Sequence, residues 1–394
     1  MPNLDKKKGT ESPFHWKYLL SDLSLGAEEE EAVLRVIRSK WLSMGPEVCA
    51  FEEEFKSFIG ARHVLATSSC TTALHLALLA LGLGPGDEVV VPAMTFVATA
   101  NAVVYTGATP VFADIQAVDR PLICPADIER KITPKTRAIV VMHYAGYPCD
   151  MEAILRIAQP RGIRVVEDAA HSAGSAFHEQ MCGTLGDVGC FSLFGNKNLP
   201  AGEGGILVTN DEEVAKRVRL QRSHGMTSLS WDRSRGHAAG YDVLELGYNY
   251  RMPELSAAVA REQLKKMAGH NGIRNQLFIH YVKSLSALAG VTIPFGRVVQ
   301  DPGARHLMTI LLPGGKERGS FMQALRRDGI QSSVHYPAVY SLSYYRARAE
   351  YQQLHLPNTD EFSARVVTLP FHPGLSESDV DQIAEGVKVA LGDI

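Results

Sequence analysis

The chain has 394 residues, 45% hydrophobic and 21% charged, enough for a large core and a second, smaller domain. Its formal charge of −3 leaves no broad basic face, so nucleic acid and anionic membranes are not expected as principal partners. Six cysteines without Cys-x-x-Cys spacing and fourteen histidines without His-Glu-x-x-His argue against zinc sites and disulfide frameworks, and for reduced thiols in a cytoplasmic protein.

Residues 1–12 are polar and expected to be mobile; no apolar core follows Met1–Thr10, as an export signal requires. Val33, Leu34, Ile37 and Trp41 share one helical face, predicting an amphipathic helix over 27–41 that Gly45-Pro46 ends. From residue 60 an alternation begins, with strands at 63–67, 88–91 and 110–112 and helices at 72–81 and 96–105. It continues with strand 138–142, helix 150–158, strands 163–166 and 206–209, and a helix from 211. Strands alternating with helices predict an α/β fold with a mainly parallel sheet covered on both faces. Over 253–288 the pattern turns long and helical. Beyond it lie predicted strands at 306–312 and 331–335 around a helix at 320–327. A boundary near residue 260 therefore divides a large α/β domain, 13–260, from a small α+β domain, 261–394. Every apolar run stops well short of the roughly 18 residues of a membrane-spanning helix.

The chemistry concentrates around Lys197, set in a mostly uncharged, glycine-punctuated turn between two β-like runs. Upstream, Val165-Val166-Glu167-Asp168 ends a strand in carboxylates, so an acid and an amine can meet at the carboxyl edge of one sheet, where open α/β sheets bind ligands. A desolvated lysine condenses with an aldehyde, and pyridoxal phosphate is the common aldehyde that also takes an Asp or Arg at its ring nitrogen. The competing reading of Lys197 is a solvated loop residue. Ser68-Ser69-Cys70-Thr71-Thr72 opens the helix after the first strand, either as a phosphate site or as an ordinary N-cap. Phe96 is either a stacking ring or plain core, and His171 either a cofactor contact or a structural histidine.

Ser69-Cys-Thr, Glu167-Asp-Ala-Ala-His171, Phe191-Ser-Leu-Phe-Gly-Asn-Lys197, Gly202-Glu-Gly-Gly205 and Gly247-Tyr-Asn-Tyr-Arg251 together resemble the DegT/DnrJ/StrS family of nucleotide-sugar aminotransferases. The resemblance runs from about residue 15 to 390. It implies a fold type I pyridoxal-5′-phosphate enzyme, homodimeric, with active sites at the subunit interface. Lys197 would bond the cofactor aldehyde and shuttle protons. Asp168 would hold the pyridine nitrogen, with His171 against the ring or its O3′. Ser69, Cys70, Thr71 and Ser192 would hold the phosphate, Phe96 would stack, and Asn249 would reach the neighbouring subunit's phosphate. Arg251 would assist there or bind the donor carboxylate, while His335 and Tyr336 would approach the sugar. His143–Asp150, Glu167–His171 and Ser230–Arg233 look most like the branch that makes UDP-4-amino-4-deoxy-L-arabinose, from which Phe96 and Asn249 depart. Cys70 stands where many relatives have glycine; a backbone N–H does not depend on its side chain, so phosphate binding is expected to survive.

The implied reaction is a two-stage exchange: glutamate gives its amino group to the cofactor, and a nucleotide-linked 3-keto or 4-keto sugar then receives it, with ping-pong kinetics. Two rival readings are a family dehydratase that removes a sugar hydroxyl, whose members tend to carry histidine in place of Lys197, and a non-enzymatic regulator.

Overall fold

The computed structural model describes residues 16–228, 230–236, 239–298 and 303–392. The N-terminal tract expected to be mobile lies outside the described residues. The central sheet has seven strands: β1 (His63–Thr67), β2 (Glu88–Pro92), β3 (Thr109–Ala113), β4 (Thr136–Met142), β5 (Arg164–Asp168), β6 (Val188–Ser192) and β7 (Gly205–Thr209). Their spatial order is β1-β7-β6-β5-β4-β2-β3. From β6 to β3 all neighbours are parallel, whereas β7 runs antiparallel to both β6 and β1. Val89, Val90, Val91, Ile139, Val140, Val141, Val165 and Val166 are buried, as expected of strands with helices on both faces.

Because β7 alone is reversed, its first residue lies at the edge where β1 and β6 end: Gly205 is registered against both Thr67 and Ser192. That edge therefore gathers the end of β1, the ends of β5 and β6, and the start of β7. It is the part of the fold that positions the site.

Most elements fall within a few residues of the sequence expectation. Gly45-Pro46 is an exception, because it begins a further helix, Pro46–Ile59, after the first has closed at Ser39. Proline suits a first helical turn, whose N–H has no partner within the helix. Residues 331–335 do not form the predicted strand. Ile330 bridges Tyr18, while Ser333 bridges Thr368 on another element, so no continuous ladder develops.

Past the large domain, β8 (Met308–Leu311) and β9 (Val366–Leu369) form a small antiparallel sheet packed with the helices Arg318–Arg327 and Glu377–Gly392. The expected boundary at 260 falls inside one continuous helix, Glu254–Leu285, so no loop marks the division. Tyr18 packs into the C-terminal core beside Tyr281, Phe321 and Val387, so the first described residues are tied to that part of the chain.

Candidate active site

The helix Cys70–Ala80 starts at the end of β1 with Ser69 as N-cap, whose Oγ accepts the Thr72 N–H at 3.2 Å. Thr72 Oγ1 in turn accepts the Ser69 N–H at 3.1 Å, a reciprocal pair that ties down the turn. The N–H groups of the first turn, at Cys70 and Thr71, form the positive end of the helix dipole. Gly205 passes directly beneath this turn: a Cβ there would lie 2.2 Å from the Ser69 carbonyl carbon and 2.5 Å from Cys70 N. Only glycine permits that approach.

Asp168 closes β5 and is buried. No helix follows it. Its Oδ2 accepts the Thr99 hydroxyl at 2.7 Å and its Oδ1 the Ala170 N–H at 3.2 Å. Burial raises its pKa, an effect that Thr99, Ala170 and Lys197 oppose. A buried carboxylate so placed favours a cation beside it. The adjacent Glu167 points to the other face of β5. It is spent on structure, accepting the N–H groups of Gly183, Leu185 and Gly186 and bonding His143 Nε2 at 2.8 Å.

Lys197 follows β6 in a turn where its own N–H bonds the Phe194 carbonyl at 2.8 Å. Burial lowers its amine to about 8, against the opposing charge of Asp168. Ser69, Cys70, Thr71, Phe96, Asp168, His171, Ser192, Lys197, His335 and Tyr336 all line one cavity of about 340 Å³. Ten residues spread over 268 positions of sequence thus meet in one place, and the solvated-loop reading of Lys197 fails.

Phe96 is 52% exposed, so it is not core; its ring centroid lies 5.8 Å from that of Tyr336. His171 is buried, and its Nδ1 accepts the Ala145 N–H at 3.3 Å. The proton is thus on Nε2, which donates to Tyr336 Oη at 3.1 Å. Burial, and secondarily Lys197, hold His171 neutral by pushing its pKa well down. His335 bonds Thr368 Oγ1 at 2.9 Å and is pushed down to about 4, chiefly by burial.

Asn249 and Arg251 do not line this cavity. Asn249 is exposed, and Arg251 Nη1 donates to Ser223 Oγ at 3.0 Å. Sequence reasoning also missed several residues that the fold brings in. Thr99 holds Asp168; His306 Nε2 lies 3.4 Å from Lys197 Nζ; Asn196 and Glu203 line the cavity. Asn196 and Glu203 sit inside the Phe191–Lys197 and Gly202–Gly205 motifs, whereas Thr99 and His306 carry no local signal. Among the described residues no cluster of His, Cys, Asp and Glu is arranged to hold a metal ion, and no helix is long and apolar enough to cross a membrane.

The model of the DegT/DnrJ/EryC1/StrS aminotransferase family matches residues 23–388. The chain belongs to that family. It is 40% identical over 371 residues to the spore coat polysaccharide biosynthesis protein SpsC of Bacillus subtilis (strain 168), covering 92% of this chain and 94% of SpsC. Among solved structures it resembles Helicobacter pylori PseC, an aminotransferase involved in the biosynthesis of pseudoaminic acid. There the TM-score is 0.88 at 28% identity, over 96% of this chain and all of that one. A putative sugar aminotransferase, Spr1654 from Streptococcus pneumoniae, solved in its PLP form, gives a TM-score of 0.87 at 27% identity over 95% and 98% of the two chains. This family member is accordingly a sugar aminotransferase of fold type I, dependent on pyridoxal phosphate.

The cavity fits that cofactor. A lysine with a lowered pKa, a buried carboxylate whose surroundings favour a cation, and a helix N-terminus all open onto the same space.

Proposed function

We propose that this cavity moves an amino group from an amino acid, glutamate, to a keto sugar carried on a nucleotide, in two stages. The observation that carries the reading is the convergence of Lys197, Asp168 and the first turn of the Cys70–Ala80 helix on one cavity. Similarity to SpsC supports a place in polysaccharide biosynthesis.

Bound pyridoxal phosphate supplies an aldehyde that takes up amino groups and a ring that accepts electrons when a proton leaves the amine-bearing carbon. The N–H groups of Cys70 and Thr71, with the Ser69 and Ser192 hydroxyls, would bind its phosphate at the positive helix end. Asp168, whose pKa burial raises and the Thr99 hydroxyl lowers, would hold the proton on the ring nitrogen. Phe96 and His171 line the cavity where the ring would lie, and a neutral His171 would add no charge to oppose a pyridinium. Lys197, whose amine burial lowers to about 8, would be the group that bonds the cofactor aldehyde, and its Nζ would carry the proton that leaves the substrate. Asn196 Oδ1 is buried without a hydrogen-bond partner and borders the cavity beside His335, Tyr336 and Glu203, giving the sugar acceptors and donors to meet.

The reading extends to a homodimer. Next to Asn249 and Arg251, residues Tyr241, Leu244 and Leu246 are 60%, 62% and 81% exposed, a run of apolar surface suited to a second copy of the chain. Such a partner would receive Asn249 and Arg251 at its cavity, accounting for their absence from the lining of their own.

The test is mass spectrometry of purified protein with pyridoxal phosphate, glutamate and a panel of nucleotide-linked keto sugars. Amination and deoxygenation give different product masses, and Lys197→Ala should produce neither. Re-equilibrated mixtures of Lys197→Ala and Asn249→Ala chains should recover activity that each lacks alone. A Lys197→Ala protein that still aminates sugar defeats the assignment; mixtures without recovery defeat the shared site.

A further inference from the structure

One buried histidine beside Lys197 has no part in the scheme above. His306 precedes β8 and is 5% exposed, with Nε2 at 3.4 Å from Lys197 Nζ and its ring centroid 4.3 Å from that of His171. Its protonation pattern follows from its neighbours. Asn198, next to the lysine in sequence, has an Nδ2 that meets three acceptors: the Ala304 and Arg305 carbonyls and Asn271 Oδ1 at 2.9 Å. Asn271 is oriented in the same way, since its Nδ2 donates to the Ala173 carbonyl at 3.1 Å. Backbone carbonyls only accept, so both amide orientations are determined. Asn198 Oδ1 is thereby the atom 3.0 Å from His306 Nδ1, and that nitrogen must donate. In a neutral ring the lone pair then lies on Nε2, facing the lysine.

The surroundings keep the ring neutral. Burial first, then the positive charges of Lys197 and Arg274, push the His306 pKa well below its ordinary value. Arg274 is itself buried, with no hydrogen-bond partner at Nε or Nη1, so its charge is poorly compensated. The other ionisable groups around the lysine are Asp168, Cys70, His171 and His335.

We propose that His306, locked by Asn198 as the Nδ1–H tautomer, is a positioning residue that accepts an N–H of Lys197 and holds the free amine in place whenever it is not bonded to the cofactor. The chain Ala304/Arg305 carbonyls to Asn198 to His306 to Lys197 thus transmits a fixed backbone geometry to the reactive nitrogen. Pre-orientation of a nucleophile lowers the entropy to be lost when it attacks. The inference rests on Lys197 as the lysine that bonds the cofactor.

The test uses apoprotein mixed with pyridoxal phosphate, following the absorbance that appears as the lysine bonds it, across pH. His306→Leu, which has no acceptor, should form the bond about tenfold more slowly. Its rate profile should also shift to lower pH, because an ammonium donates a stronger hydrogen bond than a neutral amine and loses more when the acceptor goes. His306→Gln, whose Oε1 can replace Nε2, should restore both rate and profile. Two variants that behave like the wild type, or two equally slow with unshifted profiles, overturn the proposal. In a second measurement, ¹⁵N NMR of histidine-labelled wild-type apoprotein should show the Nδ1–H tautomer for the resonance that disappears in His306→Gln. An Nε2–H signal overturns the proposal even if His306→Leu does not fold. Wild-type protein that forms no bond with pyridoxal phosphate instead refutes the reading of Lys197 itself.

Discussion

Thr99→Val tests the electrostatics of the site with little change of shape. Thr99 is fully buried, and its Oγ1 lies 2.7 Å from Asp168 Oδ2. Valine replaces the hydroxyl with a methyl group of similar volume, so packing changes little. Thr95 Oγ1 lies 2.8 Å from Thr99 Oγ1 and 3.0 Å from Met142 Sδ, so the substitution removes one of its partners and leaves the other. A hydrogen bond to a charged acceptor is worth about 1.5–3 kcal/mol, or roughly ten- to a hundredfold in an equilibrium constant. Burial already raises the Asp168 pKa and Thr99 lowers it, so removing Thr99 lets it rise further. The carboxylate that must face the ring nitrogen is then lost at a higher pH. Apoprotein should bind pyridoxal phosphate about ten- to a hundredfold more weakly near neutrality, the acid limb of binding should move to higher pH, and affinity should recover as pH rises. Absorbance titration across pH measures this, with Thr99→Ser as the variant that keeps the hydroxyl. Identical affinity and an unmoved acid limb in Thr99→Val would refute the claim that Thr99 maintains the charge of Asp168.

Lys197 gives a second expectation: since its amine titrates near 8, the rate of bond formation with pyridoxal phosphate should climb through that pH as the neutral form grows. A profile that climbs only above pH 10 would mean the amine is solvated. Gly205→Ala places a Cβ against the Ser69 backbone, which cannot retreat as a side-chain tip can. It should lower stability by about 1–3 kcal/mol and weaken cofactor binding together; a melting curve and affinity equal to wild type would show that the two backbones do not approach so closely.

Much of the site is legible in local sequence because its chemistry is carried by short motifs at strand ends. Asp168 ends an apolar run, Ser69–Thr71 lie between a strand and a helix, and Lys197 stands alone in a glycine-punctuated turn. Each of these positions is marked by the residues immediately around it, as is the alternation that produces a mostly parallel sheet. The glycines of Gly202–Gly205 are visible too, although their purpose is not: Gly205 is required by a backbone from another element that reaches it only in the folded chain.

The candidate reactive groups and the sheet edge on which they stand are written in short stretches of chain, since strand periodicity and strand ends are local properties. Tertiary structure alone decided which partners tune those groups. The pairing of β7 with β1, the hydroxyl of Thr99 against Asp168, and His306 arriving beside Lys197 from 109 positions away depend on long-range packing. A pKa or a tautomer is set by whatever atoms lie within a few ångströms, and here those atoms belong to residues 69 and 109 positions away in the chain.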